Sequence, residues 1–444
     1  MTARTKRRWL PVAFFVLAPL LFLAGAIGMA PHTRSSGAPG GVEDPVVVSP
    51  AGAGIDASIA ALQARLRRVP EDAAGLASLG LAYVQKARVS VDPAYYGKAQ
   101  AVLDASLRID DQDNFAAASG MAALAAARHD FERARQWAER GLAVNSSNAT
   151  LYGALVDALT QLGRYDEALA ATQRMVDLRP DSASLARVSY SWELRGDGDR
   201  ARAAMQRALD DATTPADRAF ARYHLGALAL ARGDADEAIR QYDAGLRADA
   251  AYLALYEGRA RAEAALGRND DALRDFARVT DAIPEPSYLI EHGELLESLG
   301  RVDEAQAQYA LFNAEEQLFR ANGVTLDVES ALFHADHGDP KSALAAAEAG
   351  IRSRPFLDME DAYAWALHVN GNDTEALEWS TKARRLGTRS ALFLYHAGMI
   401  GEALGQFDQA RTDLSAALGI DPHFSPLHAP VARRVLAALV ARPG

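Results

Sequence analysis

Alanine returns through this chain at a near-constant spacing, at Ala99, Ala134, Ala168, Ala201, Ala238, Ala272, Ala305, Ala343, Ala376 and Ala410. The intervals are 35, 34, 33, 37, 34, 33, 38, 33 and 34 residues. Eight of the ten positions five residues before an anchor are glycine: Gly163, Gly196, Gly233, Gly267, Gly300, Gly338, Gly371 and Gly405. Ala94 and His129 are the exceptions. Proline falls twelve residues after the anchor at Pro180, Pro284, Pro355 and Pro422. A period of this length marks a stacked array, in which each unit is too small to bury its own apolar side and buries it against its neighbour.

Each recurring residue has a physical reason. Glycine ends a first helix because it takes positive φ without steric cost. Asp166, Asp234, Asp270 and Asp303 suit the positive N-terminal end of a second helix. Alanine sits where two helices cross and lets their axes approach closely. Proline stops the second helix. Between these marks, apolar residues such as Leu155, Leu159 and Leu162 keep helical spacing, and no comparable stretch alternates like a strand.

These residues resemble the tetratricopeptide repeat, a helix–turn–helix unit. The clearest copy runs Leu162-Gly163-Arg164-Tyr165-Asp166-Glu167-Ala168 and closes at Leu178-Arg179-Pro180. The resemblance implies an all-α fold, a right-handed α-solenoid of about ten repeats over residues 71–428. Helical caps are expected at 56–70 and 429–444, because the terminal units would otherwise expose an apolar side. Three repeats depart from the pattern. The first has about seven extra residues around Lys86 to Pro93, read as lying between its helices, and the seventh has a long second helix from near Asp303 to Ala321. The fourth lacks its proline and reaches Pro215 late. The segments Asp361–Leu367, Leu386–Arg389, Tyr395–Ile400 and Asp421–Pro430 further resemble a set of exported bacterial tetratricopeptide proteins, a likeness that implies architecture and no activity.

The N-terminus carries a delivery signal. Arg4, Lys6, Arg7 and Arg8 precede an uncharged apolar run from Trp9 to Ala30, which is the export pattern. Ala24-Gly25-Ala26 and Gly28-Met29-Ala30 offer cleavage sites, yet Leu10 to Ala30 is 21 residues, long enough to span a bilayer. Residues 1–30 are therefore either a signal peptide or a membrane anchor, and both place the rest outside the cytoplasm. Residues 31–55, rich in Gly, Pro and Ser, read as a flexible linker. The chain has 47 Lys+Arg against 58 Asp+Glu, and removing the four N-terminal cations leaves 43 against 58. Such a surface disfavours nucleic acid as a partner. The absence of cysteine excludes disulfides, thiol catalysis and Cys-ligated metals.

No phosphate loop, GxSxG or HExxH pattern occurs, so neither an enzyme nor a cofactor is expected. Asp110-Asp111-Gln112-Asp113-Asn114 lacks the glycine and terminal glutamate of a calcium loop. His334 and His337 are three apart and share a helical face, and with Asp336 and Asp339 they form a candidate metal site. His423 and His428 form a second. Both runs also read as helix ends and caps.

The resemblance places ligands on the concave face, lined by the first helix of each repeat. The corresponding positions are Asp157, Thr160, Tyr190, Glu193, Tyr223, Glu257, Arg261, Glu294, Glu297, Asp358, Asp361, Trp365, His368 and Tyr395. They make an acidic groove interrupted by aromatics, suited to a protein or peptide partner of basic character. The Lys/Asn clamp for a terminal carboxylate is absent. The expected function is an extracytoplasmic scaffold. The alternatives are an envelope metal-handling protein using His334 and His337, or an accessory subunit of an enzyme complex. The oligomeric state stays open.

Overall fold

The computed structural model describes residues 52–442. The expected export segment and nearly all of the linker lie outside them. Among the described residues the protein is entirely helical, with 22 helices. A capping helix α1 (Gly52–Arg68) is followed by ten hairpins. They are α2–α3 (Ala73–Ser90, Ala94–Ile109), α4–α5 (Phe115–Ala127, Phe131–Val144), α6–α7 (Ala149–Gln161, Tyr165–Leu178), α8–α9 (Ser182–Glu193, Gly198–Asp210) and α10–α11 (Pro215–Leu230, Ala235–Ala248). Then come α12–α13 (Ala254–Ala265, Asn269–Ala282), α14–α15 (Pro286–Ser298, Val302–Ala321), α16–α17 (Asp327–Asp336, Pro340–Ser353), α18–α19 (Leu357–Val369, Asp373–Ala383) and α20–α21 (Ala391–Ala403, Phe407–Ile420). Helix α22 (His428–Val440) caps the far end. No described helix is long and apolar enough to cross a membrane.

The anchors behave as their spacing predicts. All ten alanines are buried, nine of them lying in the second helix of a hairpin at 0% exposure and Ala168 at 5%. The eight glycines all take positive φ, between 70° and 85°. Asp234 caps α11 by accepting from the Glu237 amide at 3.1 Å, whereas Asp166, Asp270 and Asp303 sit one step further in, within the first turn. Three boundaries differ from expectation. Helix α1 starts at Gly52 rather than Asp56, so the last linker residues are helical, and Ile55 is fully buried. The extra residues of the first repeat lengthen α2 to Ser90 instead of forming a loop. Helix α22 starts at His428 and stops at Val440.

The solenoid closes on itself. The hairpin turns of the second to fifth repeats stand on the connections that leave the seventh to tenth. The Leu357 amide donates to the Tyr165 hydroxyl at 2.8 Å across 192 residues. Thr388 donates to the Leu194 carbonyl across 194 residues, and Arg354 donates to Gln161 at 3.3 Å across 193. At the fifth repeat a Cβ on Gly233 would lie 2.9 Å from the Ile420 carbonyl oxygen. Glycine at this turn therefore serves both the left-handed backbone and the close approach.

Both breaks in the glycine rule lie on this closure. His129 takes φ +59° in place of glycine, and its buried imidazole bonds the Thr325 backbone across the seam. Burial, with Arg354 nearby, pushes that imidazole down to about 3, so it stays neutral. In the first repeat the left-handed residue is Val91, at φ +50°, a costly conformation for a β-branched side chain. Val89 shares an apolar cluster with Val324, and Phe319 from the extended end of α15 packs on it. The end of the long α15 thus packs on the apolar cluster to which the long α2 contributes.

Candidate functional site

The first helices of the hairpins face inward, and closure divides their inner face into a filled half and a hollow half. In the filled half, Asp157 of α6 is buried and held by both Arg187 nitrogens, at 2.9 Å from Nε and 2.6 Å from Nη2. Arg187 itself is 2% exposed. Thr160 turns back to its own helix, donating to the Val156 carbonyl at 2.8 Å. A void of only about 20 Å³ remains beside Asp157, Thr160 and Tyr190, room for roughly one water.

Glu193 of α8 and Asp358 of α18 come close across the seam. Glu193 is exposed at its surface while protein crowds its base, and Asp358 is partly buried. Burial, reinforced by the charge of Asp358, pushes the Glu193 carboxyl up to about 7. Asp358 is pushed up to about 6 by burial and then by Asp361. The two carboxyls disfavour each other's ionisation.

The hollow half is a chamber of about 590 Å³ between α12, α14, α16, α20 and the C-terminal segment. Its wall is largely apolar, with Leu230, Ile290, Leu332, Phe333 and Leu392 among its residues. Glu291, Glu294, Glu329, Asp336 and Asp421 also line it, against the cations Arg261 and Arg433 and the histidines His396, His423 and His428. One polar chain enters it. The Tyr223 hydroxyl donates to Glu257 at 3.2 Å, Glu257 holds Arg261 at 3.3 Å, and Arg261 lies 3.9 Å from Glu291. Burial drives the Glu291 carboxyl well above the usual range, and the Glu257 charge adds to this.

At the C-terminal end two buried carboxylates each hold an imidazole. Asp361 and His396 Nδ1 are 2.8 Å apart, and His396 stacks on Trp365 with centroids 4.3 Å apart. Asp336 accepts from Trp365 Nε1 at 2.7 Å and pairs with His428 Nε2 at 3.1 Å. His368 is engaged by Asp373 instead. Glu297 accepts from the Tyr309 hydroxyl at 2.8 Å.

The expected groove residues lie on the first helices of the hairpins but are not the open surface expected of a wide spiral. Asp157, Tyr223, Glu257, Asp361, Trp365 and Tyr395 are all buried, because closure brings the inner helices against one another. Glu193, Arg261, Glu294 and Glu297 keep solvent contact. The candidate metal pair separates: His334 lies 3.8 Å from Glu316, while His337 lies 3.8 Å from Glu294 and 3.6 Å from Glu297. No group of three ligating side chains that could hold a metal occurs among the described residues. Asp336, His396 and His428 were visible in the sequence as polar residues of the right runs, but not as a cluster.

The tetratricopeptide-repeat family model matches residues 119–183, 195–252 and 257–314, and a second model of the same repeat matches 391–424. No curated protein sequence matches the chain. The crystal structure of the APC/C hetero-tetramer Cut9–Hcn1 is similar at 15% identity and TM-score 0.41, over 86% of this chain and 81% of that one. The human IFIT1 dimer with m7Gppp-AAAA is similar at 14% identity and TM-score 0.48, over 76% and 78%. A tetratricopeptide repeat protein from Parabacteroides merdae ATCC 43184 is similar at 18% identity and TM-score 0.36, over 58% and 98%.

Proposed function

We propose that this tetratricopeptide-repeat chain, whose architecture is in general that of a protein-interaction scaffold, works outside the cytoplasm and takes a basic, apolar peptide segment into its acidic chamber. The export-like N-terminus and the likeness to exported bacterial proteins favour that location. One observation carries the ligand reading: the chamber is the part of the inner face that closure leaves hollow, and it combines an apolar wall with five carboxylic side chains against two arginines. Burial raises the carboxyls of Glu291, Glu329 and Asp421 and so weakens their charge; those of the five that ionise attract cations and discriminate against acidic segments. Apolar residues between those cations would bury against Ile290, Leu332 and Phe333.

A fluorescently labelled peptide alternating leucine and arginine tests this. Its anisotropy should rise on adding the protein, the effect should weaken with salt, and a leucine–glutamate counterpart should not bind. Glu294→Lys combined with Glu297→Lys should weaken capture by about tenfold or more. Equal binding of the two peptides, or unchanged capture by the double variant, would refute the reading.

A further inference from the structure

The chamber is closed on one side by the chain's own C-terminal segment. Asp421, His423, Phe424, Pro426, His428 and Arg433 line it. His428 reaches back 92 residues to pair with Asp336 at 3.1 Å. Its ring stacks on Tyr395 with centroids 4.9 Å apart, and Phe424 meets the same tyrosine at 5.6 Å. A carboxylate on the chamber wall is therefore satisfied by an imidazole that the cap delivers. The ring can carry the same charge as the side chain expected of a partner.

We propose that His428 is an internal stand-in for the partner's cationic side chain, and that the segment Asp421–Arg433 must withdraw from Asp336 before that cation can enter. This rests on the peptide reading above and adds its regulation.

The surroundings make the bridge sensitive to pH. Asp336 of α16 and Glu294 of α14 favour the imidazolium, and His396 and Tyr395 of α20 and the neutral Trp365 of α18 complete the contacts. Of the arginines on the same helix, Arg433 folds back to the Pro422 carbonyl at 2.7 Å, and Arg434 lies on the Tyr395 side. Burial works to lower the His428 pKa, but the hydrogen bond and charge of Asp336, with Glu294 behind them, carry it above its ordinary value. For Asp336 burial works upward, and the His428 and Trp365 bonds outweigh it, so its carboxyl is held below the usual range. A base with a raised pKa stabilises the folded contact fully below its unfolded value and loses that contribution as pH rises through the folded one. The depressed carboxyl sets the acid limit. The segment is held most firmly between the two and lets go on the alkaline side.

Two measurements on the full chain test this. Amide exchange of residues 421–440, corrected for intrinsic rates, should be about tenfold faster at about pH 8.5 than at about pH 6 in the native protein. His428→Gln, which keeps a donor but cannot titrate, should abolish the difference. Affinity for the leucine–arginine peptide should rise about tenfold over the same interval, and His428→Gln should remove most of that rise, leaving only the part due to chamber carboxyls such as Glu291. Asp336→Asn should also lose the pH response and bind the peptide more weakly. Unchanged exchange in the native protein, or a His428→Gln variant that titrates like it, would overturn the proposal whatever the peptide does. A pH-dependent exchange with no peptide binding at either pH would overturn the ligand reading and leave the moving segment established.

Discussion

Asp157 and Asp336 are both carboxylates buried on the inner helices of this solenoid, and they are neutralised in opposite ways. Asp157 is held by Arg187, a permanent cation two helices away, beside a void of only about 20 Å³. Asp336 is held by His428, a titratable ring on the C-terminal cap, at the edge of a chamber about thirty times larger than the void beside Asp157. The first arrangement locks the wall of the spiral. The second can be undone by moving one proton, so the hollow half is where the molecule can respond to its surroundings.

Two substitutions measure that difference. Asp157→Asn strands the Arg187 charge in the interior and should cost about 3–5 kcal/mol in urea unfolding. Asp336→Asn leaves a ring that can shed its proton, and should cost only about 1 kcal/mol near neutral pH. Equal costs would mean that the two sites do the same structural work.

The carboxyl pair on the seam sharpens the comparison in a smaller way. Glu193 and Asp358 are pushed up to about 7 and about 6, chiefly by burial. The folded chain therefore keeps protons that the unfolded chain has already released near pH 4. This pair lowers stability as pH rises from about 4 to about 7, the reverse of a salt-bridged carboxylate. Glu193→Gln with Asp358→Asn should flatten that part of the urea-midpoint profile and raise the midpoint at alkaline pH. A parallel profile for the double variant would show that the seam does not hold protons on this pair.

The hairpins were legible in the sequence because each depends on residues close together. The alanine anchor, the glycine turn and the aspartate at the start of the second helix act within one unit. The closure was not legible, because it joins residues about 190 apart and depends on small rotations summed over five repeats. Glycine illustrates the limit. Gly233 abuts the Ile420 carbonyl, whereas Gly267, Gly300 and Gly338 have open space around the same position. All four look alike in the sequence, since each is first required by positive φ. The informative residues were the exceptions: His129 and the lengthened first and seventh repeats, which read as irregularities and prove to be the seam. The place of the groove residues on the first helices followed from the repeat, but their burial followed from the closure.

That closure is the claim on which the chamber, its ligand and its lid all depend. The chain has no cysteine, so spin labels can be placed cleanly through Glu167→Cys and Ser353→Cys, two exposed positions flanking the contact of Tyr165 with Leu357. Pulsed electron–electron double resonance should return one narrow distance at the short end of the range of the method. A broad distribution centred several times further out would show an open spiral, with no enclosed chamber.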